Sequence, residues 1–117
     1  MPHILIVDDE RQIRTLLSMS LRMAGYDVTV AADGLEAMTL CTVENFDAIL
    51  TDIDMPRMNG QELVRWIAGN RPKTRYAMMS GLPPEADEHP APSSRPILRK
   101  PFFPKQAVAL IELMLNP

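Results

Sequence analysis

The stretch DAILTDIDMPRMNG, residues 47–60, joins a short apolar run to two carboxylates, Asp52 and Asp54, and then to a Met-Pro step and an Asn-Gly turn. An apolar run of about four to eight residues that ends at turn-forming residues is typical of a strand buried in a parallel sheet. By residue type alone, two acids beside a turn are more typical of a solvated loop. The rest of the chain decides between these interpretations.

Short apolar runs alternate with helical patterns along the whole chain. Five of these runs have the composition of buried strands: HILIV (3–7), DVTVAA (27–32), DAILTD (47–52), YAMMS (76–80) and PILRK (96–100). Helices are expected between most of them. Such alternation predicts an α/β protein whose parallel sheet is covered by helices on both faces and connected by right-handed crossovers.

The ends of the helices carry recognisable signals. Asp9 with Gln12, and Asp33 with Glu36, have the spacing of capping boxes that open the first and second helices. Asn59 is a candidate N-cap for the third helix, expected from Gly60 to about Ala68 and burying Leu63, Val64 and Ile67. In the first helix, Ile13, Leu16, Leu17, Leu21 and Ala24 are expected on the apolar face, and Gly25 follows as a stop. Pro104 is expected in the first turn of a last helix that runs to about Leu115.

One segment interrupts the alternation. Residues 82–96, LPPEADEHPAPSSRP, hold five of the eleven prolines where a helix between strands four and five would otherwise be expected. Proline blocks helix interiors, so at most one helical turn is predicted around residues 85–88. Because a strand and a helix follow it, this segment is interpreted as a covering loop inside one domain, residues 1–117.

Composition excludes several classes of function. The formal net charge is −3, from 12 basic and 15 acidic residues, so direct nucleic-acid binding is not expected. Neither a signal peptide nor a membrane helix is predicted from the apolar runs. The single cysteine, Cys41, has no internal disulfide partner. These features predict a cytoplasmic protein.

Polar residues follow four of the five strands. Asp8 and Asp9 follow strand one, while Asp52, Ser80 and Lys100 end or follow strands three, four and five. The carboxyl ends of parallel strands meet at one edge of the sheet, where ligands bind, so these residues are expected to converge. Singly, each is better explained as a cap, a turn residue or a solvated charge. The set favours a functional site.

Clustered carboxylates repel one another unless they share a cation. Mg²⁺ suits such a site, because it prefers oxygen ligands and keeps waters or phosphate oxygens in its remaining positions. A carboxylate beside Mg²⁺ can attack phosphorus and form an acyl phosphate, while a lysine and a hydroxyl bind the other oxygens. The residues that fill these roles are Asp52, Lys100 and Ser80.

The segments ILIVDDE, DAILTDIDMPRMNG, MMSG and RKPF, in this order, resemble the receiver domain of bacterial two-component response regulators. The resemblance spans nearly the whole chain and implies a flavodoxin-like, doubly wound sheet of strand order 2-1-3-4-5. It also implies partners: a sensor histidine kinase or phosphotransfer protein, and an output domain or effector protein.

The resemblance further implies a role for each site residue. Asp52 would accept the phosphoryl group from a kinase phosphohistidine, and Ser80 and Lys100 would contact its oxygens. Asp9 would bind Mg²⁺ directly, Asp8 directly or through water, and Asp54 through its backbone carbonyl. Self-phosphorylation from small phosphodonors and slow self-dephosphorylation would be the only catalysis. A cis peptide would join Lys100 to Pro101.

Three features depart from the family pattern. Ile97 stands where the family usually has the aromatic residue of its rotating switch. The Pro-rich segment replaces a helix that contributes to dimerisation and partner docking in the family. Asp54 and Leu82 occupy the positions that tune hydrolysis of the phosphoryl group.

Two other functions are compatible with parts of the sequence. A degenerate receiver that binds proteins without phosphorylation would explain Ile97 and the interrupted helix. AILTDIDMP also resembles the motif of haloacid-dehalogenase-type phosphatases, with Asp52 as nucleophile and Asp54 as acid, but that motif belongs on a first strand.

In PFFP, Phe102 and Phe103 are expected to cover the core, with an apolar anchor for a partner as the alternative.

Overall fold

The computed structural model describes residues 1–55, 57–81 and 97–116, and these contain five strands and four helices. In chain order the elements are β1 (His3–Val7), α1 (Arg11–Met23), β2 (Asp27–Ala31), α2 (Gly34–Val43), β3 (Ala48–Asp52), α3 (Gly60–Asn70), β4 (Arg75–Ser80), β5 (Ile97–Arg99) and α4 (Pro104–Leu115). All five predicted strands are present, with boundaries within two residues of those expected.

The five strands form one parallel sheet of order β2-β1-β3-β4-β5. The predicted α/β class and the strand order 2-1-3-4-5 are therefore confirmed. β1 and β3 lie at the centre, and their residues are almost completely buried, as the apolar runs required. The registers align the carboxyl ends of the strands, so that Val7 pairs with Thr51 and Asp52 pairs with Met79.

Alternate residues of the central strands feed two separate cores. Ile4 and Ile6 of β1 point to the core that α1 and α4 cover, together with Leu17 and Ile111. Leu5 and Val7 point to the opposite core, where Leu63, Ile67 and Ala37 are among the buried residues of α2 and α3. This period of two on a sheet covered on both sides explains why the strands have no polar face.

The predicted cap residues of the first three helices are confirmed in two cases and wrong in one. Asp33 caps α2 by accepting a hydrogen bond from the Glu36 N–H, and Asn59 forms a full capping box with Glu62. In contrast, α1 has Glu10 as its N-cap residue, without a side-chain cap, so the predicted Asp9–Gln12 box does not form. The reason lies in Asp8, whose Oδ1 accepts from the Glu10 N–H and moves the first turn one residue along.

Other helix predictions hold in part. Gly25 follows α1 with a positive φ of 98°, and Pro104 is the first residue of α4. On α1, Leu17 and Leu21 are fully buried, but Leu16 remains 41% exposed, and Ala24, expected on the same face, is an exposed C-cap residue. The expected loop at 82–96, with any helical turn in it, and Leu82 lie outside the described residues. Within the described part of the chain, no helix is long and apolar enough to cross a membrane.

Candidate functional site

The site lies at the carboxyl edge of the sheet, where four strands deliver polar residues. Asp8 directly follows β1 and Asp52 is the last residue of β3. Ser80 ends β4, and its carbonyl accepts a hydrogen bond from the backbone N–H of Lys100, which directly follows β5. Asp8, Asp52 and Ser80 are each at most 5% exposed, so three polar groups are buried at one edge.

The Lys100 ammonium holds two of these carboxylates. Its Nζ lies 2.8 Å from Asp8 Oδ2 and 3.3 Å from Asp52 Oδ2, and it is 3.7 Å from Glu10 Oε1. Only 15% of the Lys100 side chain is exposed, so its charge is little screened by water. A buried cation therefore bridges two buried anions that belong to different strands.

The protonation properties of Asp52 follow from this arrangement. Burial and the neighbouring charge of Asp8 raise the pKa of Asp52 to about 6, despite the opposing attraction of Lys100 and a hydrogen bond from the Asp54 backbone N–H. Burial alone would lower the pKa of Lys100, but its hydrogen bond to Asp8 and the charges of both aspartates raise it. Asp52 is thus largely ionised at neutral pH, while Lys100 remains a cation.

Carboxylate oxygens for a cation are also concentrated here. Asp8, Asp9 and Glu10 each place an oxygen within 4.8 Å of the others, with Asp8 buried and the other two exposed. Hard oxygen donors that face both protein and solvent fit Mg²⁺, which keeps several water ligands. Glu10 was not among the predicted site residues, although the run of three acids in DDE was a visible signal.

The loop after β3 is anchored to the same edge. The Ile53 N–H donates to the Met79 carbonyl of β4, and the Gly60 N–H donates back to the Ile53 carbonyl, which closes the loop on itself. The side chain of Asp54 is exposed, whereas its backbone N–H contacts the Asp52 carboxylate. The loop thus brings its backbone, rather than the Asp54 side chain, to the buried carboxylates.

The residues around Lys100 match the expectations only in part. The Lys100–Pro101 peptide is cis, as the resemblance implied. Phe102 packs partly buried against the core of α1 and α4, but Phe103 is 70% exposed, so its predicted packing role is wrong. Phe103 precedes α4 as its N-cap residue. Ile97, at the first position of β5, is half-buried.

Comparison with known sequences identifies relatives over the full length. Residues 4–112 match the family described as response regulator receiver domain. The response regulator receiver protein CpdR of Brucella abortus is 36% identical over 120 residues, which cover 98% of each chain. The alkaline phosphatase synthesis transcriptional regulatory protein PhoP of Bacillus subtilis is 32% identical, with 97% of this chain covering 48% of PhoP. The chain therefore spans about half the length of some curated relatives and nearly all of another.

Solved structures agree with the sequence comparison. The response regulator TrrA of Thermotoga maritima, solved in complex with Mg²⁺–BeF, superposes with a TM-score of 0.87 at 26% identity. The match covers 98% of this chain and 100% of TrrA. Together with the strand order and the acidic edge, these similarities are conclusive. The chain belongs to the response regulator receiver domain family of two-component signalling.

Proposed function

We propose that Asp52 is the phosphoacceptor of this receiver domain, with residues 1–117 forming one signalling module. The observation that carries the proposal is the position of Asp52: a buried carboxylate, joined to Asp8 through Lys100 at the ligand-binding edge of the sheet. A carboxylate there is costly for folding, because burial and Asp8 both disfavour its charge. Such a cost is typical of functional sites.

The proposed reaction transfers a phosphoryl group to the carboxylate. An Oδ atom of Asp52 attacks phosphorus and forms a P–O bond, while the P–N bond of a phosphohistidine breaks and its electron pair stays on the imidazole nitrogen. With a pKa of about 6, Asp52 is ionised at neutral pH and can attack without a general base. Later attack by water on the acyl phosphate would restore the carboxylate and release inorganic phosphate.

The acidic residues beside Asp52 are proposed to hold Mg²⁺. Asp9 and Asp8 would supply carboxylate oxygens, and Asp52 and the backbone carbonyl of Asp54 would complete the protein ligands. When bound, Mg²⁺ supplies charge neutralisation between the carboxylate and the phosphoryl oxygens. The oxygen donors gathered at Asp8, Asp9 and Glu10 support this assignment.

Lys100 and Ser80 are proposed to bind the transferred group. The Lys100 ammonium already contacts Asp52, so it lies where negative charge increases on phosphorylation. Ser80 ends the strand next to β3, one residue beyond the partner of Asp52, which places it at the same edge. Its hydroxyl can donate a hydrogen bond to a phosphoryl oxygen.

Membership of the family supports a proposal for the biological setting. We propose a cytoplasmic location, a sensor histidine kinase or phosphotransfer protein as the donor, and an effector protein or output domain as the recipient of the signal. Catalysis would be limited to self-phosphorylation from small phosphodonors and slow self-dephosphorylation.

Intact-mass spectrometry tests the phosphoacceptor directly. The protein is incubated with acetyl phosphate or phosphoramidate, with Mg²⁺ or with EDTA, beside Asp52→Asn and the exposed control Asp27→Asn. We expect a gain of roughly 80 Da, one phosphoryl group, that requires Mg²⁺ and is lost only in Asp52→Asn. No gain in a folded wild-type protein, with these donors and with a kinase phosphohistidine, would instead favour an interaction module that works without phosphorylation.

A further inference from the structure

Two loops next to the site are joined by an ion pair between Arg57 and Asp33. The Nε and Nη2 atoms of Arg57 both donate to Asp33 Oδ2, with Nε at 3.0 Å. The other oxygen of Asp33 accepts from the Glu36 N–H at 2.9 Å and caps α2. Because both carboxylate oxygens are used, Asp33 is a fixed anchor that belongs to the start of α2.

The electrostatics of Asp33 fit this description. Its hydrogen bond from the Glu36 backbone lowers the pKa of Asp33, and Arg57 lowers it further against the opposing effect of burial. The Asp33 side chain is 11% exposed, whereas that of Arg57 is 58% exposed. The anchor is therefore buried, and the arginine reaches it from the solvent side.

The backbone of Arg57 is in an unusual conformation. Its φ is 68°, and among the described residues no other residue apart from glycine has a positive φ. Residues with a Cβ disfavour this region, so an arginine there needs interactions that hold it. The two hydrogen bonds to Asp33 supply such interactions, because they hold the Arg57 side chain in place and so stabilise the unusual backbone conformation.

A second contact supports the first. A Cβ added to Gly34 would lie 2.8 Å from the Met58 side chain and closer still to its carbonyl oxygen. The first turn of α2 therefore packs directly against the backbone of the loop at Met58. Asp33 and Gly34 are consecutive at the start of α2, and their partners Arg57 and Met58 are consecutive in the loop after β3. The start of α2 therefore holds this loop from one side.

The loop after β3 also contacts the candidate site. The Asp54 N–H, three residues before Arg57, donates to the Asp52 carboxylate. At its other end the loop is fixed by the Asn59 capping box and by the bond from Gly60 to Ile53. Arg57 and Met58 of this loop therefore have the start of α2 as their lateral support.

We propose that the Arg57–Asp33 pair is a positioning device that fixes the loop after β3, so that the Asp54 backbone is aligned for Mg²⁺ binding beside Asp52. Arg57 and Asp33 are positioning residues, since neither contacts the reacting carboxylate in the described contacts. The proposal rests on the proposed function, because it assigns the pair to the metal site of the phosphoacceptor.

The test measures Mg²⁺ affinity and loop protection in the unphosphorylated protein. Isothermal titration calorimetry gives the Mg²⁺ dissociation constant, and amide hydrogen exchange of Asp54 and Met58 is followed by NMR without metal. Arg57→Asn removes the guanidinium but tolerates a positive φ. Asp33→Asn keeps a capping oxygen and removes the charge. Arg65→Asn, at an exposed arginine of α3, is the charge-matched control.

We expect both single variants to weaken Mg²⁺ binding about three- to tenfold, because loss of an outer-shell partner costs about tenfold or more and this pair acts one step further from the metal. Amide exchange of Asp54 and Met58 should be faster, and the double variant should be no worse than either single one. The sign is diagnostic for Arg57→Asn. Loss of a nearby positive charge would by itself strengthen cation binding, so weaker binding points to lost positioning.

Three results would overturn the proposal: wild-type affinity and exchange in the single variants, tighter Mg²⁺ binding in Arg57→Asn, or additive effects in the double variant. Absence of Mg²⁺ binding by the wild type would also overturn it. Failure of the proposed function is separable. A wild type that binds Mg²⁺ but accepts no phosphoryl group refutes the phosphoacceptor assignment, while the affinities of the variants still decide the role of the pair.

Discussion

The Nζ atom of Lys100 lies 2.8 Å from Oδ2 of Asp8, although 92 positions separate the two residues in the sequence. The contact exists because β1 and β5 end at the same edge of the sheet, with β3 and β4 between them. Asp52 of β3 is the third member, 3.3 Å from the same Nζ. The ammonium thus offsets the repulsion between two buried carboxylates. It links the carboxyl ends of three strands, β1, β3 and β5.

Replacement of Lys100 should destabilise the metal-free protein. In Lys100→Met, Asp8 and Asp52 remain buried without a cation, and loss of one partner of a buried ion pair is costly. We expect the free energy of unfolding at pH 7.5, measured by urea denaturation in EDTA, to fall by about 3–5 kcal/mol. Added Mg²⁺ should restore part of the loss, because bound ligand stabilises the folded state.

Lys105→Met is the matched control for this experiment, since Lys105 is an exposed lysine in the first turn of α4. It should change stability by less than about 0.5 kcal/mol. If Lys100→Met unfolded at the same urea concentration as the wild type, the ammonium would not contribute substantially to stabilising the two buried carboxylates.

Asp52→Asn should stabilise the metal-free protein at neutral pH. The pKa of Asp52 is raised from 3.8 to about 6 in the folded state, so the folded protein binds more protons than the unfolded chain between these values. Stability contributed by this group therefore falls as pH rises from about 4 to 6 and stays low above that window. The variant should gain about 2–3 kcal/mol at pH 7, from a shift of about two pKa units.

The measurement is the free energy of unfolding in EDTA across pH 4 to 8. The difference in free energy of unfolding between Asp52→Asn and the wild type should grow as the pH rises from about 4 to 6 and then level off. Asp27→Asn removes an exposed carboxylate at the start of β2 and should show no such profile. A variant less stable than the wild type at pH 7 would contradict the cost assigned to the buried charge.

Sequence periodicity was sufficient for the sheet and for the site's general location. Runs such as HILIV are typical of strands buried on both faces of a covered parallel sheet, and this topology brings Asp8, Asp52 and Lys100 to one edge. Local signals also predicted the caps at Asp33 and Asn59, since each bonds within its own first turn.

The errors arose where tertiary contacts choose between neighbouring residues. Asp8 and Asp9 are adjacent acids, and it is the contact of Asp8 with Lys100 and the Glu10 N–H that places α1 one residue later than expected. The same holds for PFFP, where the chain direction after β5 buries one ring and exposes the next. The Arg57–Asp33 pair spans 24 residues, and no periodic signal in the sequence predicts it.

Ser80→Ala should slow phosphorylation without weakening Mg²⁺ binding. The variant loses the hydroxyl proposed to bind a phosphoryl oxygen, and loss of one hydrogen bond of about 1.4 kcal/mol slows the chemical step by about tenfold. The rate of acyl phosphate formation from phosphoramidate is measured at saturating Mg²⁺ by intact mass. Ser80→Thr keeps a hydroxyl and should retain most of the rate. Equal rates in Ser80→Ala and the wild type would remove Ser80 from the site.

The two phenylalanines after Pro101 should differ in their effect on stability. Phe102 packs against the core of α1 and α4, so Phe102→Ala should lower the free energy of unfolding by about 1–3 kcal/mol, less than full burial of the ring would give. Phe103 is 70% exposed, and Phe103→Ala should change the free energy of unfolding by less than about 0.5 kcal/mol. Urea denaturation of both variants at one pH decides the question. Equal losses would mean that Phe103 also packs in solution, whereas the predicted contrast leaves its ring free to contact a partner next to Lys100.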